Sequence, residues 1–266
     1  MPLRAQFGYH TTPFTREIAA QDHFTLPMHQ QALDGLEQAL DRRMSAALIA
    51  PAGTGKTTTI RKLIFRLPEA RYDVHCVKVT GLSKRDMCRE IATACGAAPA
   101  GSYPMLIQRL QERFESTSGD GRRPVLVLDE AQDLRPDVLA MMCIITNFQM
   151  DSRLVLSVLL CGKPTLAKML SCENQESTAR RLAHYATLRP LSRDESLAYL
   201  EHRSTLAGAR AFPFDTTSVD ALFEFSRGNL RALDGLALES LEIAARAKLS
   251  AVSAGHVAQA RKVLWP

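Results

Sequence analysis

The sequence predicts an α/β fold: a five-stranded parallel sheet with its helices over residues 1–190, then a helical lid over residues 191–266. Three observations predict it. Apolar runs that do not alternate recur between helix-like stretches, as parallel strands buried on both faces require. A glycine loop, Ala50-Pro51-Ala52-Gly53-Thr54-Gly55-Lys56-Thr57, joins the first such run to a helical stretch. From Leu191 onward only helical periodicity continues.

In chain order, residues 1–30 mix turn residues with Phe7, Tyr9, Phe14 and Phe24, whose apolar bulk demands burial. Residues 28–43 read as a helix with Leu33, Leu36 and Leu40 on one face. Ala46–Ile49 is the first strand, and the helix after the glycine loop runs to about Leu67, closed by Pro68. Val74–Val79 is the second strand. Ser83, with Asp86 three residues on, caps a helix that stops at Gly96. A small-residue loop, 97–104, leads to a helix over 105–114, and 116–123 reads as a polar loop. Pro124–Glu130 is the third strand, 136–148 a helix, and Leu154–Cys161 the fourth strand, ended by Gly162-Lys163-Pro164. A polar helical patch over 173–183 precedes a short fifth strand at Tyr185–Leu188. Ser192 and Glu195 form a capping box opening a helix that ends at Gly208. Helices over 215–225, 230–247 and 256–264 complete the bundle.

Composition bounds the function classes. No apolar run nears the ~18 residues of a membrane span, and no apolar segment of a secretory signal follows Arg4. Cysteines 76, 88, 95, 143, 161 and 172 show no C-x-x-C or zinc spacing and read as buried hydrophobes of a reducing cytoplasm. Seven scattered histidines form no cluster, so no zinc is expected. The net charge is +5, and residues 191–266 hold nine Lys/Arg and nine Asp/Glu, so the excess lies wholly before residue 191. Such mild basicity bears on nucleic acid only once it is placed on a site.

The loop at 50–57 has the strand–loop–helix context of a phosphate-binding P-loop. A polyphosphate must be met by several backbone N–H groups and a helix N-terminus. Gly53 and Gly55 let the chain curl, and the ATP-binding set is Pro51, Ala52, Gly53, Thr54, Gly55, Lys56, Thr57, Thr58 and Asp129. Lys56 would reach the β- and γ-phosphates, and the Thr57 hydroxyl would sit on Mg²⁺. The first glycine of G-x-x-x-x-G-K-T is Ala50 here, at a strand end where a methyl is easily held. At the tip of the third strand, Asp129 suits the Mg²⁺ water shell and Glu130 suits a general base for the attacking water. Gln132 reads the γ-phosphate state, contacts a neighbour, or is a solvated polar residue. Hydrolysis also needs positive charge on the γ-phosphate. Lys163, Arg181 and Arg231 are the candidates, with a surface ion pair as each one's alternative.

Phe7-Gly8, Pro13-Phe14, His29-Gln30-Gln31-Ala32-Leu33, the P-loop, Asp129-Glu130-Ala131, Asn147-Phe148-Gln149-Met150-Asp151, Gly162-Lys163-Pro164, Arg189-Pro190-Leu191-Ser192 and Ser226-Arg227-Gly228 together resemble the ExeA-type AAA+ ATPases over nearly the whole chain. That resemblance implies either a secretion-associated ATPase that continues into a membrane segment, or a transposition helper similar to TnsC, TniB, IstB and MuB. With Pro266 right after the lid, the transposition form is the expectation: an oligomer on double-stranded DNA that recruits a DDE-type transposase. The resemblance further implies that Arg181 is an arginine finger acting on ATP in the adjoining subunit. Arg231 would be the lid's sensor arginine, although Leu230 replaces the usual Pro. Lys163 would hold the first-sensor position, where Gln, Asn or Thr is commoner.

Thr80, Ser83, Lys84 and Arg85 are the DNA-contact candidates, since the matching segment of the helpers grips phosphates; a solvated basic turn is the alternative. Cations at a helix start suit backbone phosphate and carry no base readout, so binding would be sequence-independent and salt-sensitive. Phe24, His29 and Leu230 are adenine-pocket candidates by position only, with core packing as the alternative. The rival functions are an ATPase energising secretion or envelope assembly and a non-hydrolysing nucleotide switch.

Overall fold

Central strands bury both of their faces, and this decides the architecture. A computed structural model describes residues 2–265. Met1 and Pro266, the outer bounds of the two expected domains, lie outside the described residues. The chain runs α1 (Pro2–Phe7), α2 (Pro27–Asp41), β1 (Ser45–Ile49), α3 (Lys56–Arg66), β2 (Tyr72–Lys78) and α4 (Lys84–Ala94). It continues through α5 (Tyr103–Gly119), β3 (Arg123–Asp129), α6 (Pro136–Ile145), β4 (Ser157–Gly162), α7 (Pro164–Leu170), α8 (Glu176–Arg180) and β5 (Leu182–Thr187). Helices α9 (Arg193–Leu206), α10 (Thr216–Ser226), α11 (Leu230–Arg246) and α12 (Ala254–Leu264) close it.

Two compact units emerge. One comprises residues 27–51 and 56–188, and the other 1–26, 52–55 and 189–266. Residues 1–26, counted in the sequence reading as an N-terminal extension of the 1–190 domain, group with the C-terminal helices.

In the α/β unit the sheet order is β2-β3-β4-β1-β5, with every neighbouring pair parallel. Ala47, Ile49, Leu126, Leu128, Val158 and Leu160 enter one core with Met87, Ile91, Leu110 and Phe114. The alternate residues Ala46, Leu48, Val125, Val127, Leu159 and Cys161 enter the other with Leu33, Leu36, Ile60 and Leu63. Period-2 geometry thus sends successive side chains of one apolar run to opposite faces, each covered by helices. The edges are less buried: Cys76 on β2 and Tyr185 on β5 are exposed. Cys76 and Cys172 depart from the expectation of buried thiols, whereas Cys88, Cys95 and Cys161 meet it.

Several elements differ from the sequence reading. α5 continues to Gly119 because Thr117 is fully buried and hydrogen-bonds the Arg113 carbonyl, so the polar stretch stays helical. Pro164 starts α7 rather than merely ending β4, since proline at N1 loses no helical hydrogen bond. β5 begins at Leu182, and the polar patch before it shortens to α8 and a 3₁₀ turn. Helix α6 ends at Ile145, three residues short of the expected bound.

In the helical unit, Ser192 accepts from the Glu195 N–H and the Glu195 carboxylate accepts from the Ser192 N–H, a complete capping box. Asp215 and Asn229 cap α10 and α11 by accepting the Ser218 and Ala232 N–H groups, without the reciprocal bond. Arg203 is buried, donating to the Thr15 carbonyl at 2.6 Å and to Tyr199 Oη at 2.6 Å, with its guanidinium 5.8 Å from the Phe14 ring centre. It ties the N-terminal segment to α9.

Candidate nucleotide site

The carboxyl ends of β1, β3 and β4 lie side by side, with Asp129 paired in register with Cys161 and Ile49 with Gly162. Ligands of open parallel sheets bind at this edge. β1 ends there because Gly53 and Gly55 take left-handed φ angles of 78° and 91°, which side chains resist. The chain then enters α3 at Lys56 and presents that helix's N-terminus.

Lys56 is 8% exposed, and its Nζ lies 3.3 Å from Glu130 Oε1 and 3.8 Å from Asp129 Oδ1. Thr57 is exposed and Thr58 half-buried. Asp129 Oδ1 accepts the Glu130 N–H at 2.9 Å. Glu130 stands at φ 56°, left-handed backbone costing about 1–3 kcal/mol and typical of functional positions. Its Oε2 accepts from Gln132 Nε2 at 2.8 Å and faces Lys163 Nζ at 3.4 Å. Burial pushes the Glu130 carboxyl up, but the Gln132 hydrogen bond and the two lysines outweigh it and hold the group below its ordinary value. It is thus an ionised carboxylate at neutral pH, as a base must be.

A hydroxyl on Thr57 and a carboxylate on Asp129 are hard oxygen donors. They fit Mg²⁺, which keeps much of its water and shares phosphate oxygens. Among the described residues no group of three or more His, Cys, Asp or Glu stands together.

Arg181 follows α8 and makes a bidentate pair with Asp151, Nη1–Oδ1 2.8 Å and Nη2–Oδ2 2.5 Å. Those hydrogen bonds hold the Asp151 carboxyl below its ordinary value. Asp151 ends three consecutive left-handed residues, Gln149, Met150 and Asp151, and Met150 between them is 95% exposed. Asp151 is a partner of Arg181 that sequence reading missed; no local pattern joins residues 30 apart.

The elements just described carry a recognisable signature. Residues 39–170 match the AAA domain family. The chain has the AAA+ P-loop fold. It is 28% identical over 234 residues to general secretion pathway protein A of Aeromonas hydrophila, covering 86% of this chain and 42% of that protein. Similar solved structures include the ORC1 protein of Aeropyrum pernix in complex with DNA, with TM-score 0.71, 21% identity and coverage of 94% and 68%. CDC6P of Pyrobaculum aerophilum gives TM-score 0.72 at 19% identity, covering 94% of this chain and 70% of that one. The RuvB Holliday junction branch migration motor of Thermotoga maritima gives 0.61 at 18%, covering 99% and 74%.

Within residues 39–170, Thr80 is exposed and Ser83 accepts from the Asp86 N–H as the cap of α4. Lys84 is half-buried at the first helical position. Arg85 donates twice to the Gly101 carbonyl, at 3.2 and 3.1 Å, and Arg109 donates to that of Ala100. The hydroxyl of Ser83 and the fork of Arg85 are thus engaged within the protein, and of the two cations Arg85 is the more exposed. His29 is buried in α2.

In the helical unit, Asn229 Nδ2 donates to the Ala52 carbonyl at 2.6 Å and the Arg231 N–H to that of Gly53 at 3.3 Å. A Cβ on Gly53 would stand 2.2 Å from Asn229 Oδ1, a second reason for glycine there. Asn229 was not singled out by the sequence, although an Asn before an apolar helix signals a cap. Arg231 occupies the second position of α11 with its side chain exposed, after Leu230 at the first. Phe24 stacks edge-on against Tyr199 at 5.9 Å and lies 5.1 Å from the His202 ring, so it serves packing. Among the described residues no helix is long and apolar enough to cross a membrane.

Proposed function

We propose that the protein is a Mg²⁺-dependent ATPase that assembles on duplex DNA, each subunit completing its neighbour's site with Arg181. The observation that carries the ATPase reading is the clustering of Lys56, Asp129, Glu130 and Lys163 at one sheet edge beside the P-loop helix. Lys56 now neutralises the two carboxylates; a bound polyphosphate would draw it to the β- and γ-oxygens and release Glu130 Oε1. Glu130 would then take a proton from water as the hydroxide oxygen bonds to the γ-phosphorus. The bond from that phosphorus to the β–γ bridging oxygen breaks, giving ADP and phosphate. When bound, Mg²⁺ at Thr57 and Asp129 supplies charge neutralisation. Lys163 and an incoming Arg181 supply further positive charge on the γ-phosphate.

DNA contact is supported by the basic excess before residue 191 and by Lys84 at the N-terminus of α4, chemistry suited to phosphate backbone. The finer reading, supported by the ExeA-type motif string, is that the assembly targets a DDE-type transposase. A second reading has its own observation: the 28% identity to general secretion pathway protein A supports an ATPase energising secretion or envelope assembly. Electron microscopy of Glu130→Gln with ATP, Mg²⁺ and duplex DNA tests the choice. Long-lived rings or filaments on DNA are expected. A variant that stays monomeric would defeat the assembly on DNA, and ATP-dependent retention on a membrane partner but not on DNA would select the secretion reading.

A further inference from the structure

Phosphate chemistry accounts for Lys56 and Lys163 beside Glu130, but not for Gln132. This residue lies in the 3₁₀ turn Ala131–Asp133, immediately past Glu130, and is half-buried. Both ends of its amide are used, each on a different element. Nε2 donates to Glu130 Oε2 at 2.8 Å, and Oε1 accepts the Lys163 backbone N–H at 2.9 Å, just past the end of β4. The end of that strand is shaped for it. A Cβ on Gly162 would stand 3.0 Å from Gln132 Oε1 and 2.8 Å from Leu166 Cδ2, so the amide can lie there because residue 162 is glycine.

The two carboxylate oxygens of Glu130 therefore have different holders. Oε1 faces Lys56 at 3.3 Å, the group that phosphate would draw away. Oε2 is held by Gln132 and Lys163, both fixed to the β4 end. We infer that Gln132 is a positioning residue for Glu130: it ties Oε2 to the end of β4 so that Oε1 is the oxygen presented to water once Lys56 turns to phosphate. A free glutamate samples many rotamers, and ordering one costs conformational entropy. An amide anchored at both ends has already met that cost before substrate arrives, and positioning of this kind is where proximity effects originate. Lys163 acts on the same oxygen with its side chain and on Gln132 with its backbone N–H, so a change at the β4 end reaches the base directly. The inference rests on the proposed ATPase reading.

Two measurements on Gln132→Ala test it. In single-turnover hydrolysis at saturating ATP, the rate is expected to fall about tenfold or more, part of the roughly 10²–10⁴-fold that a positioned base supplies. ATP affinity is expected to stay at the wild-type value. A rate within about twofold of wild type, or a loss confined to ATP affinity, would overturn the inference. In a crystal structure of the nucleotide-free variant, the Glu130 carboxylate is expected to leave Lys163 and turn toward Lys56. Glu130 unmoved, with both lysine contacts kept, would overturn it too. Gln132→Glu, isosteric but setting a second carboxylate against Glu130, is expected to lower the rate at least as far. Should wild type bind ATP without hydrolysing it, the ATPase reading falls, and the crystal structure alone decides the positioning role.

Discussion

Asp234 on α11 shows how far one residue's surroundings can depart from its sequence neighbours. Tyr199 Oη donates to its Oδ1 at 2.7 Å and Arg203 Nη1 lies 3.5 Å away. Burial still dominates and raises the carboxyl from 3.8 to about 6. The folded protein thus binds this proton more readily than the unfolded chain, so the associated stability is complete below pH 3.8 and is lost as pH rises through about 6. Asp234→Asn is expected to flatten that part of the melting-temperature profile, measured calorimetrically between pH 4 and 7. An unchanged slope would remove Asp234 as its source. At the same scale, Lys56, Asp129 and Glu130 were legible in the sequence because each sits in a short motif. Their settings were not. The Gln132–Lys163 and Arg181–Asp151 contacts join residues about 30 apart, brought together by strand order and by the left-handed turn at 149–151.

At the scale of elements, β1, β3 and β4 were legible because five to seven consecutive residues serve two cores at once. Edge strand β5 was less so: it buries Leu182 and Ala186 and exposes Ala183 and Tyr185, a weaker signal than a continuous apolar run. The length of α5 was hidden by Ser116-Thr117-Ser118, whose polarity reads as loop until Thr117 is seen to be buried. The turn between α10 and α11 gives the sharpest element-scale prediction. Gly228 stands at φ 70°, its carbonyl accepts the Leu191 N–H at 2.9 Å, and a Cβ there would lie 2.0 Å from the Leu191 carbonyl oxygen. That neighbour is backbone and cannot swing aside. Gly228→Ala should destabilise the helical unit by about 2 kcal/mol or more, from strain and the displaced turn. Urea unfolding would show it, and a midpoint equal to wild type would contradict it.

For the whole molecule, the P-loop supplies one half of the proposed site and Arg181 the other, from a second copy. Arg181 is paired to Asp151 in the isolated chain, so engaging a neighbour's phosphate would exchange one bidentate anion for another. The region after residue 190 is neutral, so the basic excess lies within residues 1–190. Assembly would then be what makes the chain an enzyme. The most direct test mixes two variants, Lys56→Ala and Arg181→Ala, with ATP, Mg²⁺ and duplex DNA, and measures phosphate release. The account predicts that each variant alone is nearly inactive, and that the equimolar mixture recovers several times the summed rates by pairing an intact P-loop with an intact arginine across subunits. A mixture no faster than its separate components, or Arg181→Ala hydrolysing at the wild-type rate by itself, would contradict it.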